Sequence, residues 1–181
     1  MSVAISGNGL YALVGVPGAE RAHVFIRSGT TWTHQQELTQ TIGNVGANDM
    51  FGTSVSISGD GTYALVGAID AQGDGGWPDR GGVHVFIRSG TSWTQQQKLF
   101  APTTASVDYF GMSVAISGNG LYALVGVPGA ERSHVFIRSG TTWTHQPELT
   151  PTLGHVGAHA MFGTSVSISG GGTYALVWAI Y

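Results

Sequence analysis

The chain contains no cysteine. Disulfides, thiolate chemistry and sulfur-ligated metals are therefore excluded, and the redox compartment is left open. Charge is nearly as scarce. Seven Lys and Arg stand against ten Asp and Glu in 181 residues, a formal net charge of −3. Basic residues so few and so scattered build no nucleic-acid patch. No run of about 18 apolar residues exists to cross a membrane as a helix. Residues 1–10 also lack the basic-then-apolar pattern of a signal peptide. With Glu, Lys and Arg this sparse and 29 glycines, a helical protein is not expected. What is present is 42% hydrophobic residues at low net charge, which argues against disorder. The remaining class is all-β and rich in turns.

Self-similarity sets the architecture. Residues 1–70 return as residues 112–181, with about 60 of the 70 positions identical. A shorter period nests inside this one. Phe-Gly-Thr-Ser-Val-Ser-Ile-Ser-Gly starts at Phe51 and again at Phe162, and a close variant starts at Phe110. The chain divides into units 1–50, 51–109 and 110–161 with a partial unit 162–181, together one repeat segment. Differences between the long copies, such as Asn44 against His155 and Gln36 against Pro147, need one nucleotide change each, as after a recent duplication. Stopping inside a fourth unit is expected of a fragmentary frame as much as of a finished domain.

Each unit reads as four short strands. In the second they are expected over 52–58, 62–68, 83–88 and 92–99. Ser58-Gly59-Asp60-Gly61 supplies the positive φ of a tight hairpin, and Ser6–Gly9 and Ser117–Gly120 match it. Strand two, Tyr-Ala-Leu-Val-Gly, is apolar without alternation, so sheets are expected on both of its faces. Four-stranded units of this kind stack radially as β-propeller blades, about three and a half here, half of a seven-bladed ring. Phe51, Tyr63, Phe86 and Trp93 recur once per unit and are expected to pack between blades.

Phe-Gly, Ser-Val-Ser-Ile-Ser-Gly and Leu-Val-Gly-Val-Pro-Gly-Ala together resemble the FG-GAP repeat of integrin α-subunit propellers. The following His-Val-Phe-Ile-Arg-Ser-Gly-Thr-Thr-Trp-Thr resembles a bacterial branch of that family. The resemblance implies a propeller in an extracellular or cell-surface protein and does not imply an enzyme. Family repeats carry an Asp-x-Asp-x-Asp-Gly calcium loop between strands one and two. Here that loop is a hairpin holding only Asp60, Asn8 or Asn119, too few oxygens for Ca²⁺. No cofactor is expected.

The connection from Ile69 to Arg80 is the longest between strands two and three. Asp70, Gln72 and Asp74 alternate like the first ligands of a calcium loop, and Asp79 could add another. No bidentate Glu follows, so a solvated glycine-rich loop is the plainer reading. Trp77, beside these carboxylates and Arg80, is suited to stack on a sugar or protein ligand. The candidate ligand-binding set is thus Asp70, Gln72, Asp74, Trp77, Asp79 and Arg80. His23, His84 and His134 share one strand-three position and read as repeat features. His155 and His159 sit in a glycine-flanked segment that argues for a loop. Glu20 and Glu131 are expected to form solvated pairs with Arg21 and Arg132. No serine stands in a visible arrangement with His and an acid. A non-enzymatic binding or adhesion module follows as the expected function, with structural self-assembly as the alternative. Expected partners are a second copy through open blade faces, or a protein or glycan ligand.

Overall fold

The computed structural model describes residues 1–43, 46, 48–71, 81–102, 109–151 and 160–180. Blade 1 consists of β1 (Ser2–Ile5), β2 (Tyr11–Val16), β3 (Arg21–Ser28) and β4 (Thr31–Leu38), paired antiparallel in chain order. Blade 2 repeats this with β5 (Phe51–Ile57), β6 (Tyr63–Ala68), β7 (Gly82–Ser89) and β8 (Ser92–Leu99). Blade 3 has β9 (Ser113–Ile116), β10 (Tyr122–Val127), β11 (Arg132–Ser139) and β12 (Thr142–His145). Unit four supplies β13 (Ser165–Ile168) and β14 (Ala175–Trp178). The all-β, four-stranded blade architecture expected from the repeat is the one observed, with strand limits in blade 2 within one residue of expectation. No helix among the described residues is long and apolar enough to cross a membrane.

Local chemistry fixes the blades. In the first hairpin Ser6 Oγ donates to Asn8 Oδ1 at 2.7 Å and accepts from the Tyr11 amide at 2.9 Å. Gly9 takes φ 67°, which a Cβ would strain. Asp60 occupies the Asn8 position in blade 2 and accepts from Ser58 Oγ, Thr62 N and Thr62 Oγ1. Burial opposes its charge, but the Thr62 and Ser58 hydrogen bonds outweigh that and hold its pKa below the usual carboxylate value. Strand four of blade 3 is half the length of β4 and β8. Pro147 stands where Gln36 does in blade 1, and its ring and missing N–H end the ladder, leaving only an isolated Ser133–Leu149 bridge beyond.

The core lies between the blades. One cluster joins Tyr11, Leu13 and Leu38 of blade 1 to Phe51, Val66 and Phe86 of blade 2. A second joins Tyr63, Leu65 and Leu99 of blade 2 to Phe110, Val125 and Phe136 of blade 3. Each fully buried Leu or Val contributes about 1.5–3 kcal/mol. Polar contacts repeat as faithfully. Gln36 exchanges two hydrogen bonds with the Trp93 backbone, at 2.7 and 2.8 Å, while the Trp93 indole donates to Gln35 at 3.2 Å. Gln97, Gln96 and Trp143 do the same one blade later. Tyr11 meets the edge of Trp93 and lies under the Arg88 guanidinium at 4.5 Å. Tyr63, Trp143 and Arg138 reproduce the set, with the cation at 4.4 Å.

Exposure follows the number of covered faces. Tyr-Ala-Leu-Val occurs in all four units, yet β6 is buried along its whole length and β2 only at alternate residues. In β14 Leu176 is 74% exposed, against 0% for Leu65 at the same repeat position.

Candidate functional site

The two ends of the blades differ. At one end the strand one–two hairpins stack on each other through backbone hydrogen bonds. Asn8 N donates to Gly59 O at 2.8 Å, Gly59 N to Gly118 O at 2.9 Å, and Asn119 N to Gly170 O at 3.0 Å. Among the described residues only tight turns are found there. The opposite end carries the strand two–three connections and the segments between units, and it is the loop face.

On the loop face a glutamate locks blade 1 to blade 2, and another locks blade 3 to unit four. The short 3₁₀ turn Pro17–Ala19 delivers Glu20 in a left-handed conformation, φ 54°. Its carboxylate accepts from both Met50 N and Phe51 N, each at 3.0 Å. Glu131 holds Met161 N and Phe162 N at 3.0 and 2.8 Å. The solvated pairs expected with Arg21 and Arg132 are not formed. Arg21 bonds Glu37 at 2.9 Å and Arg132 bonds Glu148 at 3.1 Å, freeing each loop glutamate for the neighbouring backbone. Beside the clamp, Gly52 takes φ 99° and its carbonyl presses into the space a Cβ on Gly15 would need. Ser2 Oγ donates to that carbonyl at 3.0 Å. Ser54 with Gly111 and Ser113 with Gly163 repeat the bond. Both halves of the Phe-Gly signature thus serve blade docking, and these three serine hydroxyls are engaged.

Of the candidate ligand-binding residues, Asp70 is described, and Gln72, Asp74, Trp77, Asp79 and Arg80 lie outside the described residues, as do His155 and His159. Asp70 N donates to the carbonyl of Asp49, a buried residue whose Oδ2 accepts from Gly46 N. The neck of the loop is closed: Gly81 N donates to Ala71 O at 3.1 Å, and Gly81 bridges Phe110 of the next unit. The loop therefore springs from a fixed base on the loop face.

The recurring histidines lie within the blades. His134 Nδ1 and His145 Nε2 are 2.8 Å apart, and His23 and His34 form the same pair at 3.1 Å. In blade 2 Gln95 replaces the second histidine, placing its amide nitrogen 2.7 Å from His84 Nδ1. The Gln95 carbonyl oxygen accepts from Thr41 N, Thr41 Oγ1 and Ile42 N, tying down the segment that follows blade 1. Burial, with the Lys98 charge, pushes His84 down to about 3. Burial, then His145 and Arg132 against the opposing Glu148, pushes His134 down to about 4. Both are neutral near neutral pH and suit packing rather than proton transfer. Among the described residues no three His, Asp or Glu are grouped to hold a metal ion.

The sequence matches the profile of the FG-GAP repeat over residues 32–86 and 93–141. No curated protein matches the chain. Several solved structures share the fold. A candidate 6-phosphogluconolactonase from Bacteroides fragilis superposes with a TM-score of 0.59 at 15% identity, covering 82% of this chain and 38% of that one. One from Bacteroides uniformis gives 0.58 at 15% identity, with 82% and 39% covered. The periplasmic gluconolactonase of Pseudomonas aeruginosa gives 0.57 at 13% identity, with 99% and 42% covered. The chain spans about two fifths of the length of these propellers.

These structures overturn the expected non-enzymatic binding or adhesion module, and with it self-assembly as a function in its own right. The blade arrangement found here is shared with propellers described as lactone hydrolases, so an adhesive role does not follow from it. The expectation rested on the family resemblance and on finding no serine, histidine and acid in local register. A propeller assembles its site from loops of several blades, which local register does not display.

Proposed function

Because the chain belongs to the FG-GAP repeat family, we propose that it is a segment of an enzyme-type propeller whose completed ring opens a small sugar-derived lactone. The observation that carries this reading is the asymmetry of the two blade ends. The hairpin end is filled by turns bonded to one another. The loop face has variable connections on bases fixed by Glu20, Glu131 and the Ala71–Gly81 neck. A rigid base under variable loops is where binding chemistry is placed.

In this reading Asp70, Gln72, Asp74, Trp77, Asp79 and Arg80 form this chain's share of the site. The chemistry asked of this set is a carboxylate to take the proton of the attacking water, a cation to balance the carboxylate product and an aromatic surface for the sugar ring. Water adds to the lactone carbonyl, the ring C–O bond breaks, and a hydroxy acid leaves. Further blades supply the rest of the wall. An extracellular or periplasmic setting goes with this function.

The test is proton release from gluconolactone and 6-phosphogluconolactone in weak buffer. Turnover above the spontaneous rate, reduced at least about tenfold by Asp74→Asn or Trp77→Ala, supports the proposal. A rate equal to buffer, with no upward shift in thermal unfolding at millimolar lactone or gluconate, contradicts it.

A further inference from the structure

Blade 2 departs from its neighbours at three positions near the loop-face ends of strands three and four. Blades 1 and 3 place Arg, His and Glu there, as Arg21, His23 and Glu37 and as Arg132, His134 and Glu148. Blade 2 has Gly82, His84 and Lys98 at the same repeat positions. His84 and Lys98 are direct cross-strand partners, as His23 and Glu37 are, so their side chains share one face of the sheet.

In blades 1 and 3 the set balances its own charge. Arg21 holds Glu37 at 2.9 Å and Arg132 holds Glu148 at 3.1 Å. His134 Nε2 also faces the Glu148 carboxylate, at 4.0 Å. In blade 2 the arginine is a glycine and the acid is a base, so the three positions carry a positive charge and no carboxylate. The inverted position is also the most buried. Lys98 is 7% exposed, while the side chains of Glu37 and Glu148 are 38% and 35% exposed. The two changes fit each other. A Cβ on Gly82 would lie 2.8 Å from Lys98 Cε, so the lysine stem runs where the arginine side chain starts in the other blades.

The imidazole beside it is fixed as a donor. The Gln95 carbonyl oxygen is committed to Thr41 and Ile42, which leaves the amide nitrogen as the group 2.7 Å from His84 Nδ1. An amide nitrogen only donates, so Nδ1 accepts and the hydrogen of neutral His84 is on Nε2. That buried Nε2 has no hydrogen-bond partner. A buried donor left unmet costs free energy, and a buried ammonium beside it favours an anion as the group that meets it. A recess of about 240 Å³ between blades 1 and 2 reaches this region, with Thr41, Phe86 and Gln95 in its wall.

We propose that blade 2 binds a small carboxylate between His84 Nε2–H and the Lys98 ammonium. The bound group stands in for the glutamate side chain that blades 1 and 3 supply themselves, and Glu148 beside His134 is its template. This site goes beyond the lactone reading and does not depend on it.

Acetate is the probe. Thermal unfolding near neutral pH in sodium acetate is compared with sodium chloride at equal ionic strength. The midpoint is expected to be higher by about 3 °C or more at ten times the dissociation constant. With isotope-labelled histidine, the His84 Nε2–H proton resonance is expected to move downfield as acetate is added. Lys98→Met keeps the stem, drops the charge and loses both responses. A protein with Gly82→Arg and Lys98→Glu together rebuilds the blade 3 set, fills the site from within and is also indifferent to acetate. This second variant carries the comparison should Lys98→Met fold poorly. No acetate effect up to roughly 0.2 M in the unaltered protein, or an equal effect in the variants, overturns the proposal.

Discussion

Glu20 accepts the backbone amide of Phe51 at 3.0 Å across 31 residues, so a turn of one blade caps the first strand of the next. The second carboxylate oxygen takes Met50 N, so one side chain pairs two consecutive amides at the start of β5. Glu20→Ala orphans two part-buried donors and is expected to cost about 1–3 kcal/mol. Glu20→Gln keeps one acceptor and loses less. Urea unfolding of the three proteins, compared at constant m-value, checks the order.

The Phe-Gly signature carries a second expectation. Gly67 faces the Gly111 carbonyl and Ser54 Oγ so closely that a methyl group forces the two blades apart. Gly67→Ala is expected to destabilise by about 2–3 kcal/mol. Gly18→Ala, with nothing within 4 Å of its Cβ, is expected to be neutral or slightly stabilising. Equal midpoints for the two variants in thermal unfolding would show that the close approach is not needed.

Trp93 and Trp32 occupy the same repeat position at 3% and 40% exposure. Trp93→Ala leaves a cavity beside Tyr11 and removes the indole bond to Gln35, at a cost of about 3–5 kcal/mol. Trp32→Ala, on an uncovered face, is expected to cost under about 1 kcal/mol in dilute solution. Denaturation midpoints measured at low micromolar concentration separate the two.

Acid weakens the fold through its buried histidines. His84 titrates near 3 and His134 near 4 in the folded chain, against 6.5 when free. Between pH 6.5 and those values the unfolded chain binds more protons, so stability is constant above 6.5 and falls as pH drops below it. The slope is at most about 1.4 kcal/mol per pH unit for each histidine. His84→Gln is expected to flatten the loss between pH 6.5 and 4.5, measured from urea unfolding at several pH values. An unchanged slope counts against a buried neutral His84.

The blades were legible in the sequence because hairpin glycines, an unbroken apolar second strand and a long repeat all agree, and the inter-blade placing of Tyr63 and Trp93 followed from their period. The docking chemistry was not. Glu20 adjoins Arg21, so local reading pairs them, while its real partners are 30 and 31 residues away. A signal was present, since Glu131 repeats Glu20 at the end of an identical Pro-Gly-Ala turn. The Gln36–Trp93 exchange was hidden likewise, because polar residues on an outer strand read as solvated. Of the candidate loop, the fixed neck at Ala71 and Gly81 could not be read from glycine content, which suggests freedom and not closure.

The central claim is that the core lies between blades and that protection follows the number of covered faces. Tyr-Ala-Leu-Val at 11–14, 63–66, 122–125 and 174–177 is one sequence in four settings. Hydrogen exchange on the protein in dilute solution measures those settings directly. The account predicts slowest exchange at 63–66 and 122–125, covered on both faces, and faster exchange at 11–14, covered on one face, and at 174–177, covered on one face and at the edge of a two-stranded sheet. Equal rates in the four segments, or strongest protection at 174–177, would contradict it.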